Sequence, residues 1–245
     1  MTWDAWQWSI AGLAALMIGM AKTGLGGLGM IAIVVMASIV PARESTGMIL
    51  TLLIVADIFA VSVFRRHAQW PLVLRLLPAA TVGIVCGFII MPAIPSEVFG
   101  RMIGYLTLFL IVMMLIQRRN PSLAEAAAKH GALLAGWSGG VVTMLANAAG
   151  PIMSIYLLAC RLPKMAFVGT AAWFFFAVNL IKVPFSASMG LIDFDSLRIT
   201  AILAPLVILG GFFGRWILGK LNQKMFEWIM ILFALAGAIR LVASG

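Results

Sequence analysis

The chain consists of long apolar stretches separated by short polar, charged or proline-containing loops. The stretches are continuously apolar and do not alternate with polar positions, so the pattern predicts helices and excludes membrane-spanning strands. The predicted segments are 7–21, 28–40, 46–64, 72–91 and 99–116 in the first half of the chain, and 131–146, 150–160, 168–189, 197–218 and 225–243 in the second. The first two segments of each half are short. We therefore expect an all-α polytopic membrane protein with no soluble domain.

The composition is that of a protein embedded in lipid. Hydrophobic residues make up 63% of the 245 residues and charged residues only 10%, which is too little polar surface to cover a globule in water. The formal net charge is +9, but the basic residues are spread over short loops and do not form a nucleic-acid-binding block. The two cysteines and two histidines are isolated and predict no metal site. We expect no cofactor and no nucleic-acid partner.

The second half of the chain repeats the spacing of the first. The matched pairs are Pro41/Pro163, Gly47/Gly169, Asp57/Asn179, Pro78/Pro205, Gly83/Gly210, Gly87/Gly214 and Phe99/Phe226. Five extra residues in the second copy fit the loop at 190–196. The spacing predicts a first transmembrane repeat at 1–117, a cytoplasmic hinge loop at 118–130 and a second repeat at 131–245.

Five segments in each half predict that the two repeats have opposite orientations in the membrane. One face then receives ten basic loop residues, namely Arg65, Arg66, Arg118, Arg119, Lys129, Arg161, Lys164, Arg215, Lys220 and Lys224. The other face receives Arg43, Arg101, Arg198 and Arg240, together with Asp193 and Asp195. The positive-inside rule then places the hinge in the cytoplasm and both termini outside. Each pair of short segments either crosses the membrane twice or enters it and returns to the same face as a re-entrant hairpin. The distribution of loop charges fits both forms, and the shortness of the segments favours the hairpin.

Each repeat has a glycine-containing break between its first two segments, at Gly24–Gly29 and at Asn147–Pro151. Non-helical backbone inside a membrane is tolerated only where protein or a water-filled cavity surrounds it. Interrupted segments at matching places of two repeats indicate a substrate site, and helix N-termini with bare amides favour anions. The predicted substrate-binding residues are Lys22, Thr23, Gly24, Gly26, Gly27, Gly29, Asn147, Gly150, Pro151, Asn179 and Lys182. The alternative for the glycines is close helix packing.

Three ionisable residues lie within apolar segments, namely Lys22, Asp57 and Lys182. Such residues cost about 2.5–3.5 kcal/mol each on insertion scales, so they usually face a partner or a transport pathway. Lys22 stands beside the first break and is a candidate anion ligand, while Asp57 is the candidate for proton coupling. The alternative is a buried ion pair of Asp57 with one of the lysines, or a lysine that extends to the membrane surface. For Thr23 the alternative to substrate binding is a hydrogen bond from its hydroxyl to the backbone of its own helix, as is common in membrane helices.

The glycine motif at Gly24–Gly29, the spacing from Pro41 to Gly47, and the second motif from Asn147 to Tyr156 resemble the sulfite exporter TauE/SafE family, also called the toluene sulfonate uptake permease family. The resemblance extends from about Ile10 to Val242. It implies a carrier of the bacterial inner membrane whose substrate is a sulfur-containing anion, such as sulfite, thiosulfate or a sulfoacetate-like sulfonate.

The sequence thus predicts a secondary transporter that moves a small anion by alternating access, with possible coupling to protons. Two other classes are weighed against it. A membrane-embedded enzyme would need a cluster of acid, base or metal-binding residues near one face, and the loops offer only scattered ones. A non-transporting membrane partner or assembly protein would show no saturable stabilisation by small anions.

Overall fold

The structure is a computed structural model that describes residues 3–25, 28–37, 39–40, 42–93, 105, 108–109, 112, 116 and 121–243. Within these residues the secondary structure is helical, with no strand, as the apolar pattern predicted. The helices are α1 (Ala5–Lys22), α2 (Leu28–Ala37), α3 (Ala42–Phe64), α4 (Trp70–Ile90), α5 (Pro121–Ala146), α6 (Gly150–Ala159), α7 (Lys164–Ser188), α8 (Phe194–Lys220) and α9 (Gln223–Ala243), with a 3-10 turn at Arg65–His67.

Four helices in the described part of the chain are long and apolar enough to cross a membrane, namely α3 with the turn after it, α4, α7 and α8. Large apolar side chains on these helices point away from the protein; Leu74 is 62% exposed and Ile89 is 67% exposed on α4, and Ile202, Leu209 and Phe213 are exposed on α8. An apolar surface of this kind is unfavourable in water and favourable against lipid tails.

The predicted segment boundaries differ from the structure in the hinge region and in the lengths of α1 and α5. Helix α5 begins at Pro121, so most of the predicted hinge loop at 118–130 is helical. Proline suits a first helical turn, and the alanine-rich run at 124–128 has high helix propensity. Helices α1 and α5 contain 18 and 26 residues; only α2 and α6, with 10 residues each, are short. Most of the predicted segment at 99–116 lies outside the described residues.

Among the described residues, the interior contains two large hydrophobic cores and a smaller cluster beside the second break, formed by Val142, Ala148, Ala149 and Ile152. One core is built from α1, α2, α3 and α8. The other is built chiefly from α4, α5, α6 and α7, with Phe226 and Ile231 of α9, and it also includes Phe64 of α3 and Leu218 of α8. Each core therefore joins three consecutive helices of one half to the helix at the fourth place of the other half.

Two helix pairs approach each other so closely that glycine is required at the contact. A Cβ added at Gly83 or Gly140 in the α4/α5 pair, or at Gly19 or Gly210 in the α1/α8 pair, would collide with a main-chain carbonyl of the facing helix. Residue numbers ascend together along both members, so each pair is parallel. The contacts are Gly136 with Leu76, Gly140 with Ala80, Gly83 with Trp137 and Gly87 with Met144 in one pair, and Gly12 with Leu206, Gly19 with Val207, Gly210 with Leu16 and Gly214 with Met20 in the other.

These two interfaces correspond residue by residue. The matched positions are Leu16/Trp137, Gly19/Gly140 and Thr23/Met144 at a shift of 121 residues, and Ala80/Val207, Gly83/Gly210 and Gly87/Gly214 at a shift of 127 residues. Gly19 meets the carbonyl of Val207 just as Gly140 meets that of Ala80. The second half therefore reproduces the contacts of the first: α1 of the first half packs against α8 of the second, and α5 of the second half packs against α4 of the first.

Helices α3 and α7 cross the centre of the molecule in opposite directions. The side chain of Asn179 donates a hydrogen bond of 2.6 Å to Asp57. Gly169, near the start of α7, lies against the C-terminal end of α3, and Gly47, near the start of α3, lies against Leu191 just beyond α7. Contacts that ascend along α3 thus descend along α7. The spacing-matched positions 57 and 179 are direct neighbours.

The basic loops gather at one end of the molecule. Lys164 Nζ donates hydrogen bonds to the carbonyls of Leu218, at 3.0 Å, and Leu221, which joins the start of α7 to the end of α8. Basic residues at this end are Arg65, Arg66, Arg161, Lys164, Lys220 and Lys224. The loop that carries Asp193 lies at the opposite end, beside the start of α3.

The close α4/α5 contact yields a stability prediction. Gly140→Ala places a Cβ against the carbonyl of Ala80, and we expect it to lower the free energy of unfolding by about 1–3 kcal/mol. Gly219→Ala is the matched control, because Gly219 has open space around its Cβ position and alanine favours helices. The measurement is the unfolding midpoint in detergent. Equal midpoints for the two variants would contradict the close contact.

Candidate functional site

The first break separates α1 from α2. Helix α1 ends at Lys22, and Gly24 has a backbone φ of 154°, which side-chain-bearing residues rarely adopt. A Cβ at Gly24 would lie 3.0 Å from the Cβ of Leu218 on α8. Both conformation and space therefore require glycine where the chain turns.

The second break separates α5 from α6. Asn147 follows the last residue of α5 in the left-handed conformation, with φ 54°, which asparagine tolerates better than most residues. Helix α6 begins at Gly150, with Pro151 in its first turn, a position that needs no amide hydrogen. The asparagine ends one helix and the Gly-Pro pair starts the next.

The two breaks border one cavity of about 70 Å³. A single water needs roughly 10–15 Å³, so the cavity has room for several waters or one small anion. Gly24 and Gly29 from the first break lie in the same wall as Asn147 and Gly150 from the second. The full wall consists of Ala21, Lys22, Gly24, Gly29, Ile33, Leu53, Thr143, Asn147, Gly150, Met153, Ser154, Leu157, Phe167, Val168, Ala171, Ala172, Phe175 and Asn179.

A buried ion pair connects the cavity to the central helices. Lys22 Nζ lies 2.8 Å from Asp57 Oδ1, and the two side chains are 12% and 0% exposed. The other carboxylate oxygen of Asp57 accepts the hydrogen bond from Asn179. Lys22 Nζ also lies 4.3 Å from the ring centroid of Phe175, a favourable cation–π distance. The ammonium of Lys22 is thus held between the carboxylate and the cavity wall.

A second buried ammonium stands behind the second break. Lys182 has no exposed surface, and its Nζ donates hydrogen bonds to Asn147 Oδ1 at 2.5 Å and Thr143 Oγ1 at 3.3 Å. The amide nitrogen of Asn147 donates in turn to the carbonyl of Thr46 at 3.0 Å. The side chain of Asn147 is therefore fixed between α7 and α3.

The fixed charges around the cavity favour an anion. The two lysine side chains near the cavity, of Lys22 and Lys182, outnumber the one carboxylate there, of Asp57, among the described residues. The N-terminal ends of α2 and α6 add partial positive charge at Gly29 and Gly150. No group of three or more His, Cys, Asp or Glu side chains within the described ranges could hold a metal ion. The arrangement suits electrostatic binding of a small anion.

The structure brings together six of the predicted substrate-binding residues in the cavity wall, namely Lys22, Gly24, Gly29, Asn147, Gly150 and Asn179. Lys182 and the predicted coupling residue Asp57 lie immediately behind that wall. Thr23 does not line the cavity. Its hydroxyl donates a hydrogen bond of 3.1 Å to the carbonyl of Gly19 and packs against Gly214 of α8. Pro151 is buried in the first turn of α6. The remaining two predictions, Gly26 and Gly27, fall outside the described residues.

Phe175 is a cavity residue that the sequence analysis did not single out. It lies four positions before Asn179, so both side chains are on one face of α7. This four-residue spacing from Asn179 could have indicated a cavity-facing position. Phe175 lies, however, within the run Trp173–Phe176, in which every side chain is aromatic and apolar. Hydrophobicity could not distinguish the ring that faces Lys22 from its neighbours.

A sequence profile described as Sulfite exporter TauE/SafE matches residues 11–241 of the chain. The chain belongs to the sulfite exporter TauE/SafE family. This confirms the resemblance inferred from the glycine motifs and their spacing. Comparisons with curated proteins and with solved structures found no match. TauE/SafE is a family of membrane transporters, and its long apolar helices make this member a multi-pass membrane protein. Membership implies a small anionic substrate and a lipid environment.

The ion pair yields a prediction about stability. Lys22→Met leaves the carboxylate of Asp57 buried without its cation, and we expect the free energy of unfolding to fall by about 3–5 kcal/mol. The double variant Lys22→Met/Asp57→Asn should recover most of this loss, because a neutral amide needs no counter-charge. The measurement is denaturant unfolding in detergent, with Lys224→Met on the exposed surface as control. A double variant as unstable as Lys22→Met would contradict the pairing.

Proposed function

We propose that this protein is a secondary transporter that moves a small sulfur-containing oxyanion or organosulfonate, such as sulfite, thiosulfate or a sulfoacetate-like anion, across the bacterial inner membrane. The observation that carries the proposal is the meeting of both helix breaks and Lys22 at one buried cavity. Interrupted helices at corresponding places in two repeats characterise transporter substrate sites. The excess of positive charge at the cavity gives the preference for an anion.

The architecture that we propose is a pair of inverted repeats. The residue-by-residue match of the α1/α8 and α4/α5 contacts supports the duplication. The antiparallel crossing of α3 and α7 supports opposite orientations, because these helices occupy the same place in the two repeats. Each repeat begins with a re-entrant hairpin, α1/α2 or α5/α6. The 10-residue helices α2 and α6 are about 15 Å long, half of the hydrocarbon thickness.

In this proposal the bound anion lies at the midplane between the two breaks. The start of α2 at Gly29 and the start of α6 at Gly150 direct amide groups towards it, and Lys22 supplies a full positive charge. Asn179 has a buried amide oxygen with no hydrogen-bond partner among the described residues, which suits a water or a proton carried by the ligand. Apolar wall residues such as Met153 and Phe167 accommodate the carbon chain of an organosulfonate.

In this proposal alternating access uses the two large cores, which meet at α3 and α8. Each core would move as a body against the other, and the cavity between the breaks would open first to one side of the membrane and then to the other. The gathering of basic loops at one end supports a cytoplasmic location for that end. Both termini are then periplasmic. Asp57 is the proposed proton-coupling residue, since it is the buried carboxylate that holds Lys22.

The transport proposal predicts saturable anion flux. Proteoliposomes with purified protein should accumulate labelled sulfite, thiosulfate or a small sulfonate when an inside-positive potential or a pH gradient is imposed. The charge-neutral variant Lys22→Met/Asp57→Asn, which retains a compensated interior, should reduce the flux at least about tenfold. Lys224→Met should transport as the wild type does. Flux equal to that of empty liposomes for every anion would refute the proposal.

The coupling role of Asp57 predicts a change in pH-gradient dependence. Asp57→Asn retains an amide near Asn179 and Lys22 but cannot exchange a proton, so flux in this variant should no longer respond to an imposed pH gradient. The response to membrane potential should remain. The measurement is initial flux with the gradient inward, outward and absent. A wild-type gradient response in Asp57→Asn would remove Asp57 from the coupling role.

A further inference from the structure

The lysine beside the first break and the lysine beside the second break are not at matching positions of the two repeats. Lys22 lies on α1, directly before the first break, whereas Lys182 lies on α7. The shift of 121 residues that superimposes α1 on α5 carries Lys22 onto Thr143. The first repeat thus has a lysine where the second has a threonine. Thr143 is 2% exposed and lies in the cavity wall, as Lys22 does. On the repeat pattern alone, the second break would contain no cation.

The ammonium of Lys182 occupies this place from another helix. Its Nζ lies 3.3 Å from the hydroxyl of Thr143, beside the side chain that replaces Lys22. Lys182 is three positions after Asn179, and the shift of 122 residues that pairs Asp57 with Asn179 pairs Lys182 with Ala60. The first repeat therefore has lysine then alanine at the two positions, and the second has threonine then lysine.

We propose that Lys182 is the electrostatic counterpart of Lys22, supplying from α7 the positive charge that the first break receives from α1. The proposal rests on the proposed anion transport and assigns how that anion is held. Lys182 does not touch the cavity directly. It acts as a positioning residue that fixes Asn147 and as a charge placed behind the wall.

The two ammonium groups are not equivalent in charge balance. Asp57 forms a direct ion pair with Lys22, whose Nζ lies 2.8 Å away. Among the described residues, the hydrogen-bond partners of Lys182 are the neutral oxygens of Asn147 and Thr143. A buried ammonium without a direct ion-pair partner is costly, so a negative charge in the cavity stabilises the charged form of Lys182 more than that of Lys22. We therefore infer that Lys182 sets the requirement for a negatively charged ligand.

The test compares loss of the charge with its return from the neighbouring helix. Lys182→Gln retains a hydrogen-bond donor towards Asn147 and Thr143 but removes the charge. The double variant Lys182→Ala/Thr143→Lys copies the lysine and alanine of the first repeat into the second. Binding of methanesulfonate, a permanent monoanion, and of sulfite is measured by thermal stabilisation and by calorimetry. Lys220→Gln, on the exposed surface, is the control.

We expect Lys182→Gln to raise the dissociation constants roughly tenfold or more, and Lys182→Ala/Thr143→Lys to return them to within about threefold of the wild type. Wild-type affinity in Lys182→Gln would overturn the inference, because a role in packing alone does not need the charge. Weakened binding in both variants would overturn the equivalence with Lys22. Failure of the wild type to bind any probe would instead refute the proposed anion site itself.

Should Lys182→Gln fail to fold, the double variant still decides the matter. In the double variant the lysine is at position 143 on α5, which contacts position 182 on α7 in the wild type. Near-wild-type binding by Lys182→Ala/Thr143→Lys therefore supports the shared role of the two ammonium groups. Folded protein without anion-dependent stabilisation contradicts it.

Discussion

The structure depends on the enclosure of two interrupted helices. A chain that stops being helical in an apolar environment exposes amide and carbonyl groups, and each unsatisfied group costs several kcal/mol. Gly24 is therefore backed by Leu218 of α8, and Asn147 is bonded on one side to Lys182 and on the other to the carbonyl of Thr46. The helices that cross at the centre of the molecule serve first to surround these breaks, and the cavity is the space that remains between them.

The buried charges follow from the same constraint. Removing an ion from water is tolerated when a partner and further hydrogen bonds compensate it. Lys22, Asp57 and Asn179 form such a chain, from the first break through α3 to α7. Lys182 and Asn147 form a second chain, from α7 to the second break. Because both chains include α7, a change of charge in the cavity acts on the helices that bring the two halves together.

The sequence predicted the helical elements better than the relations between them. Continuous apolar runs predicted α3, α4, α7 and α8. The matched pairs Gly83/Gly210 and Gly87/Gly214 lie on the α4 and α8 sides of the two close contacts. Helix α5 begins at Pro121, earlier than predicted, because the alanine-rich run at 124–128 has high helix propensity. The partner of Lys182 could not be predicted, since periodicity gives the face of a helix and not the helix opposite it. By charge alone, Asp57 could have formed its ion pair with Lys182 as well as with Lys22. In the structure Lys182 instead donates a hydrogen bond to Asn147.

The difference between Asp57 and Asn179 is itself explained by the crossing of α3 and α7. These two spacing-matched positions meet where the helices cross, and the amide nitrogen of Asn179 lies 2.6 Å from a carboxylate oxygen of Asp57. Two aspartates at this distance could not both be ionised, because like charges in contact oppose each other. An aspartate with an asparagine gives one carboxylate and one amide donor, a pair that forms a hydrogen bond without sharing a proton. In the proposed pair of repeats this contact is therefore asymmetric, and Lys22 on one side and Lys182 on the other extend the asymmetry to both breaks.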